Sequence, residues 1–121
     1  MQQVLAAVAE IWERSKGTIF GRVAVLEQAT RALLAGTLDE ALRQRAEQEA
    51  HKLTGSLGTF GFAQGSRLAR EMEHALGAGV PRGQAEASRL SELVGTLRQE
   101  LERPLTAQTP KPAAEEKPKP T

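Results

Sequence analysis

The chain predicts an all-α fold, an antiparallel up-and-down four-helix bundle with an additional N-terminal helix, on three observations. Its apolar residues are mainly Leu, Ala and Val, with three Phe, one Trp and no Tyr. Straight-chain and small residues lose little side-chain freedom in a helix, and the aromatics that strands favour are scarce. Apolar positions recur three and four residues apart, and no segment alternates with the period of two that a strand requires. The connections between these periodic segments are short, which favours antiparallel neighbours.

The first helix is expected over Gln2 to Ser15, with Val4, Leu5, Val8, Ile11 and Trp12 on one stripe and Gly17 as its stop. A second runs from Thr18 to Ala35 and is closed by Gly36, since glycine past a helix end accommodates the left-handed backbone of a C-cap. Thr37-Leu38-Asp39-Glu40 fits a capping box in which Thr37 caps and Glu40 reaches back. The third helix then covers Leu38 to Thr59. A fourth spans Phe62 to Leu76 and ends at Gly77-Ala78-Gly79, and a fifth follows Pro81 from Arg82 to Glu102. Residues 1–103 thus form the bundle. Residues 104–121 hold five of the six prolines and almost nothing large and apolar, so they read as a solvated proline- and lysine-rich linker or tail. A linker at this place suggests a domain of a larger protein.

Composition removes several function classes. With no cysteine, disulfides, thiolate metal sites and cysteine nucleophiles are excluded. A net charge of +1 gives no electrostatic case for nucleic acid or an anionic membrane as main partner. No apolar run approaches the length of a membrane span, and the N-terminus lacks the basic region and cleavage site of a secretory signal. The expectation is a cytoplasmic protein, monomeric by default because the bundle is self-contained.

The third helix carries the functional signal. At about 100° per residue, Leu38, Leu42, Ala46, Ala50, Leu53, Leu57 and Phe60 share one stripe, which must face the core. His51 lies about 150° from the centre of that stripe and points at solvent. Gly55 and Gly58 stand four and seven residues beyond it on the same exposed face. Two glycines within a helix cost together about 2 kcal/mol relative to alanine, and on a solvent face no core packing offsets this. What they supply is a bare patch over which a second protein can approach the imidazole. The alternative is that Gly55-Ser56-Leu57-Gly58 marks a helix end and His51 is an ordinary surface residue.

A histidine that accepts a phosphoryl group must be neutral at one ring nitrogen, exposed, and held in one tautomer, and an imidazole is largely neutral near pH 7. On the fourth helix Phe62, Leu68, Ala69, Met72 and Leu76 form the core stripe. Glu73 falls at its border, where it either reaches across to the third helix or contacts water. Lys52, Arg67 and Arg70 are sources of positive charge for a transferring group. Lys52 stands about 100° round the helix from His51 and would have to bend back. His74 falls on the solvent side and is read as a surface residue. No P-loop or Rossmann fingerprint is present, His51 and His74 lack metal-ligand spacing, and Ser56 and Ser66 have no placed base. A phosphocarrier of this kind has no ATP site and is not an autonomous kinase.

The run His51-Lys52-Leu53-Thr54-Gly55-Ser56-Leu57-Gly58-Thr59-Phe60-Gly61-Phe62 resembles the signature of histidine phosphotransfer (HPt) domains. Leu53, Gly55, Ser56 and Gly61 match its apolar, glycine, small and glycine positions, and Gly58 to Phe62 is closest to the phosphotransfer domain of chemotaxis-type histidine kinases. The resemblance implies a four-helix bundle with an exposed phospho-histidine, His51, whose Nε2 exchanges a phosphoryl group with the aspartate of a response-regulator receiver domain or takes it from a histidine kinase. It implies that Glu73, twenty-two positions on, orients the imidazole at Nδ1, and that Lys52, Gly55, Ser56, Gly58 and Arg70 form the docking surface. No cofactor of the chain's own is implied, and Mg2+ is expected on the partner receiver. The family's usual lysine three residues after the histidine is Thr54 here, which leaves charge stabilisation to Lys52, Arg70 or the partner. It also admits a second reading, a helical module that docks a receiver without phosphotransfer.

Overall fold

The computed structural model describes residues 2–103. The expected linker, 104–121, and the side chains of Val4, Leu5 and Val8 lie outside the described residues. Four helices follow in order: α1 Gln2–Leu34, α2 Glu40–Thr59, α3 Ala63–Ala75 and α4 Gln84–Glu102. Each packs on two neighbours, in the ring α1, α2, α3, α4.

The pairs that meet across each seam run in opposite directions, so every neighbour is antiparallel. Between α2 and α3, Arg43 meets the Leu76 carbonyl, His51 meets Glu73, and Leu57 lies against Gly65. Between α1 and α2, Trp12 stacks on Phe60 and Arg22 pairs with Glu49. Between α3 and α4, Gly65 faces Leu97 and Glu71 pairs with Arg89. On the last seam Arg98 pairs with Glu27 and lies over the Phe20 ring.

The expected break at Gly17 does not occur: the two N-terminal helices are one helix of 33 residues, about 50 Å long. Trp12, Ile19, Val23, Leu26 and Thr30 are all buried, and their spacing carries one stripe without interruption through Gly17. A mid-helix glycine costs about 1 kcal/mol, less than the roughly 1.5–3 kcal/mol gained by burying a single large side chain on either side of it. Glycine stops a helix where the backbone turns left-handed, as Gly36 does at φ 74°. There the Thr37 N–H donates to the Ala32 carbonyl and closes α1. No helix among the described residues is long and apolar enough to cross a membrane.

The start of α2 also differs from expectation. Asp39, not Thr37, is the N-cap: its carboxylate accepts the Leu42 N–H at 2.8 Å, while the Thr37 hydroxyl turns back to the Ala32 carbonyl. Glu40 is thereby free to hold Arg43, which occupies the core stripe and is 4% exposed. Arg43 donates to Glu40 at 2.9 and 2.7 Å, to Glu47 at 2.7 Å and to the Leu76 carbonyl at 2.6 Å. A buried guanidinium is tolerated only when its donors are satisfied in this way. One side chain thus ties the first turn of α2 to the end of α3.

The core of the bundle is aliphatic, with Leu26, Leu53, Leu57, Met72, Leu76, Leu90 and Leu97 fully buried. The helices approach closely at Gly65, where an added Cβ would lie 3.2 Å from Leu57 Cδ1 and 3.4 Å from Leu97 Cδ1. Gly65→Val should therefore lower stability by about 1–3 kcal/mol through overpacking, read as a shift in the urea midpoint. Bonding to Arg43 pushes the Glu40 carboxyl down to about 2 from 4.5. A carboxyl depressed on folding stabilises above its unfolded value and loses that contribution as pH falls through the folded one. Glu40→Gln should be less stable than the parent at pH 7, and the gap should close as pH falls from about 4.5 toward 2. A gap that persists at low pH would mean the carboxylate charge is not what holds Arg43.

Candidate functional site

His51 stands in the middle of α2, flanked on the core side by buried Ala50 and Leu53. That flanking pair fixes the rotation of the helix and leaves the imidazole 74% exposed. Its Nδ1 lies 2.9 Å from Oε2 of Glu73 on α3. A carboxylate only accepts hydrogen bonds, so the imidazole donates from Nδ1 and the lone pair is on Nε2. Glu73 is half-buried, at 26% exposure, which restricts its side chain more than a surface glutamate's. The arrangement is an outward nucleophilic nitrogen on a ring whose tautomer and orientation are set from a neighbouring helix. Glu47, Gln48, His51, Lys52 and Glu73 line a shallow open depression of ≈ 480 Å³ around it.

Beyond His51 the face of α2 is bare. Gly55 is exposed and an added Cβ there would meet nothing within 4 Å. Gly58 is also exposed, with the Ser66 hydroxyl 3.6 Å from where its Cβ would stand. No contact among the described residues requires either residue to be glycine. Gly55 lies within the helix, whereas Gly58 is in its last turn, which closes at Thr59, so the expected alternative of a helix end holds for Gly58 and not for Gly55. The turn that follows depends on Gly61 at φ 87°, where the Phe62 N–H donates to the Leu57 carbonyl at 2.8 Å. Phe60 and Phe62 then close on Trp12, at 5.4 and 4.8 Å between ring centroids. The second half of the motif is therefore a helix stop and a core anchor, and the first half is the exposed site.

The remaining residues singled out in the sequence are divided. Lys52 does not bend to His51; its Nζ is 3.7 Å from Glu49, which also takes Arg22. Ser56 is half-buried. Arg67 donates to Gln64. Arg70 is exposed, and His74 is exposed too, on the α3 face away from the core. Thr54 turns its hydroxyl back onto the Ala50 carbonyl at 3.0 Å. One participant was not expected: Ser66 donates to the Thr54 carbonyl at 2.7 Å, a further bond across the α2–α3 seam. Its signal is the spacing Ser66, Arg70, Glu73, which puts the three on one edge of α3.

A family model for the Hpt domain matches residues 10–107, most of the chain. The chain is 33% identical over 101 residues to Protein RcaC of Microchaete diplosiphon, an alignment covering 84% of this chain and 16% of that protein. The chain thus spans about a sixth of the length of this relative. No solved structure matches. An all-helical bundle with an exposed, cross-helix-bonded histidine and an Hpt match over residues 10–107 together place this chain in the Hpt domain family, the histidine phosphotransfer modules that work with histidine kinases and receiver domains in two-component phosphorelays.

Proposed function

We propose that the chain carries a phosphoryl group on Nε2 of His51, exchanging it with the aspartate of a response-regulator receiver domain or accepting it from a histidine kinase. The observation that carries this reading is the Nδ1 bond from His51 to Glu73 with the ring otherwise in solvent. In transfer from a receiver, the Nε2 lone pair forms the N–P bond as the P–O bond to the aspartyl oxygen breaks, and the bonding pair leaves with that carboxylate. The proton stays on Nδ1. Positive charge grows on the ring as the bond forms, and Glu73 lies against the nitrogen where it is best neutralised. Gly55 and Gly58, with Lys52, Ser56 and Arg70 around them, form the surface over which the partner approaches. Any Mg2+ belongs on the receiver's side of the complex.

The replacement of the family's lysine by Thr54 favours a second reading, a module that docks a receiver without taking its phosphate. The two separate on one experiment, incubation with 32P-labelled phospho-receivers and with autophosphorylated kinases. The carrier reading expects an acid-labile, base-stable label on the chain that His51→Gln abolishes. Undiminished labelling of the His51→Gln variant would sink the assignment, and stable receiver binding with no label on the parent would favour the docking module. Glu73→Gln should slow transfer by roughly 10- to 100-fold while leaving receiver affinity unchanged, the usual effect of removing an orienting carboxylate behind a reactive imidazole. Gly55→Leu should raise helix stability by up to about 1 kcal/mol and yet impair transfer; a variant that is more stable and transfers normally would show that the bare face is not where the partner sits.

A further inference from the structure

We infer that Arg70 is the residue that holds the phosphoryl group on His51, supplying from α3 the positive charge that the Thr54 position lacks. This rests on His51 being the phosphoacceptor. The register of the α2–α3 seam gives the placement. His51 is level with Glu73, through their 2.9 Å bond. Gly58 is level with Ser66, whose hydroxyl lies 3.6 Å from where a Gly58 Cβ would stand. Arg70 is four residues from Ser66 and three from Glu73 on the same edge of α3. It therefore stands level with Thr54 and Gly55, one turn from His51 along the exposed side of the seam.

Three observations make Arg70 the cation available there. Lys52 is committed to Glu49 at 3.7 Å, and Arg67 is bonded to Gln64. Arg70 is exposed, and among the described residues no carboxylate pairs with it. Gly55 leaves open space where a side chain would otherwise stand between Arg70 and the region above His51. A guanidinium presents a planar fork of donors that matches two oxygens of a phosphoryl group at once, so an arginine one turn away substitutes for a lysine on the histidine's own helix. Thr54 cannot do this: its hydroxyl is bonded back to Ala50 and it carries no charge.

The test uses the full chain and phosphoramidate, a small phosphodonor that needs no protein partner. Phosphorylation is followed by 31P NMR and assigned to residues by mass spectrometry. The parent should be labelled at His51. Arg70→Ala should accumulate phospho-His51 more slowly or lose it faster by roughly 10-fold or more, the effect of one charge-assisted bond. Arg70→Lys should recover part of this, and Thr54→Lys added to Arg70→Ala should recover most of it. The melting temperature should not change in Arg70→Ala or Arg70→Lys, since Arg70 makes no structural bond among the described residues. Parental kinetics in Arg70→Ala, or failure of the added lysine at 54 to rescue it, overturns the role of Arg70 and leaves His51 as the acceptor. Labelling that avoids His51 in the parent overturns both.

Discussion

The contact on which the site depends is the close approach of α2 and α3 at Gly65. Without a side chain there, Leu57 and Leu97 come within van der Waals reach of the α3 backbone, and the two helices lock in one register. That register decides which residues meet further along the seam. Seven residues apart on α2, Gly58 and His51 come opposite Ser66 and Glu73, also seven apart on α3. Arg43 fixes the far end of the same seam through the Leu76 carbonyl. A carboxylate placed to within hydrogen-bonding distance of an exposed imidazole is thus a product of core packing on one side and a buried guanidinium on the other. Rigid helices hold such a geometry better than loops.

The exposed face shows the opposite economy. Gly55 and Gly58 give up helix stability, and among the described residues only the Ser66 hydroxyl, beside Gly58, comes near the space they leave. Proteins keep such locally unfavourable residues where function needs them and offset the loss elsewhere. Here the offset is visible in the long α1, whose buried stripe runs from Trp12 to Thr30, and in the aromatic contact that anchors the turn after the site.

The all-helical architecture was readable because long segments with helical spacing and an aliphatic core leave no alternative, and the core stripes of α2 and α3 were nearly all recovered. Arg43 was missed on that stripe, because a charged residue reads as solvated until the carboxylates and carbonyl around it are known. The break at Gly17 was misread for a related reason. Local propensity marks a glycine as a stop, and only the stripe on both sides, whose partners lie far away in sequence, shows that the helix continues. The cap at Asp39 lost to Thr37 in the same way, since both are good cap residues and the choice is made by where the chain leaves Gly36. Of the site, the exposure of His51 and its glycines could be derived from periodicity, whereas periodicity left Glu73 open and only the resemblance supplied its pairing with Nδ1, which the α2–α3 register provides. The spacing of Ser66, Arg70 and Glu73 places Ser66 on the right edge of α3, but its acceptor is a backbone carbonyl, which carries no sequence signature of its own.

The imidazole of His51 projects from the exposed side of a helix, with no loop or lid that folds over it among the described residues. A group attached there faces water, with Arg70 as the one side chain inferred to reach it. In the proposed transfer, the exclusion of solvent that phosphoryl transfer gains from an enclosed site would have to come from the partner, so each encounter would assemble half of its reaction chamber from the other molecule. Between encounters, a phosphoryl group on this ring would persist without enclosure, its lifetime set by its own hydrolysis and by whatever charge Arg70 supplies.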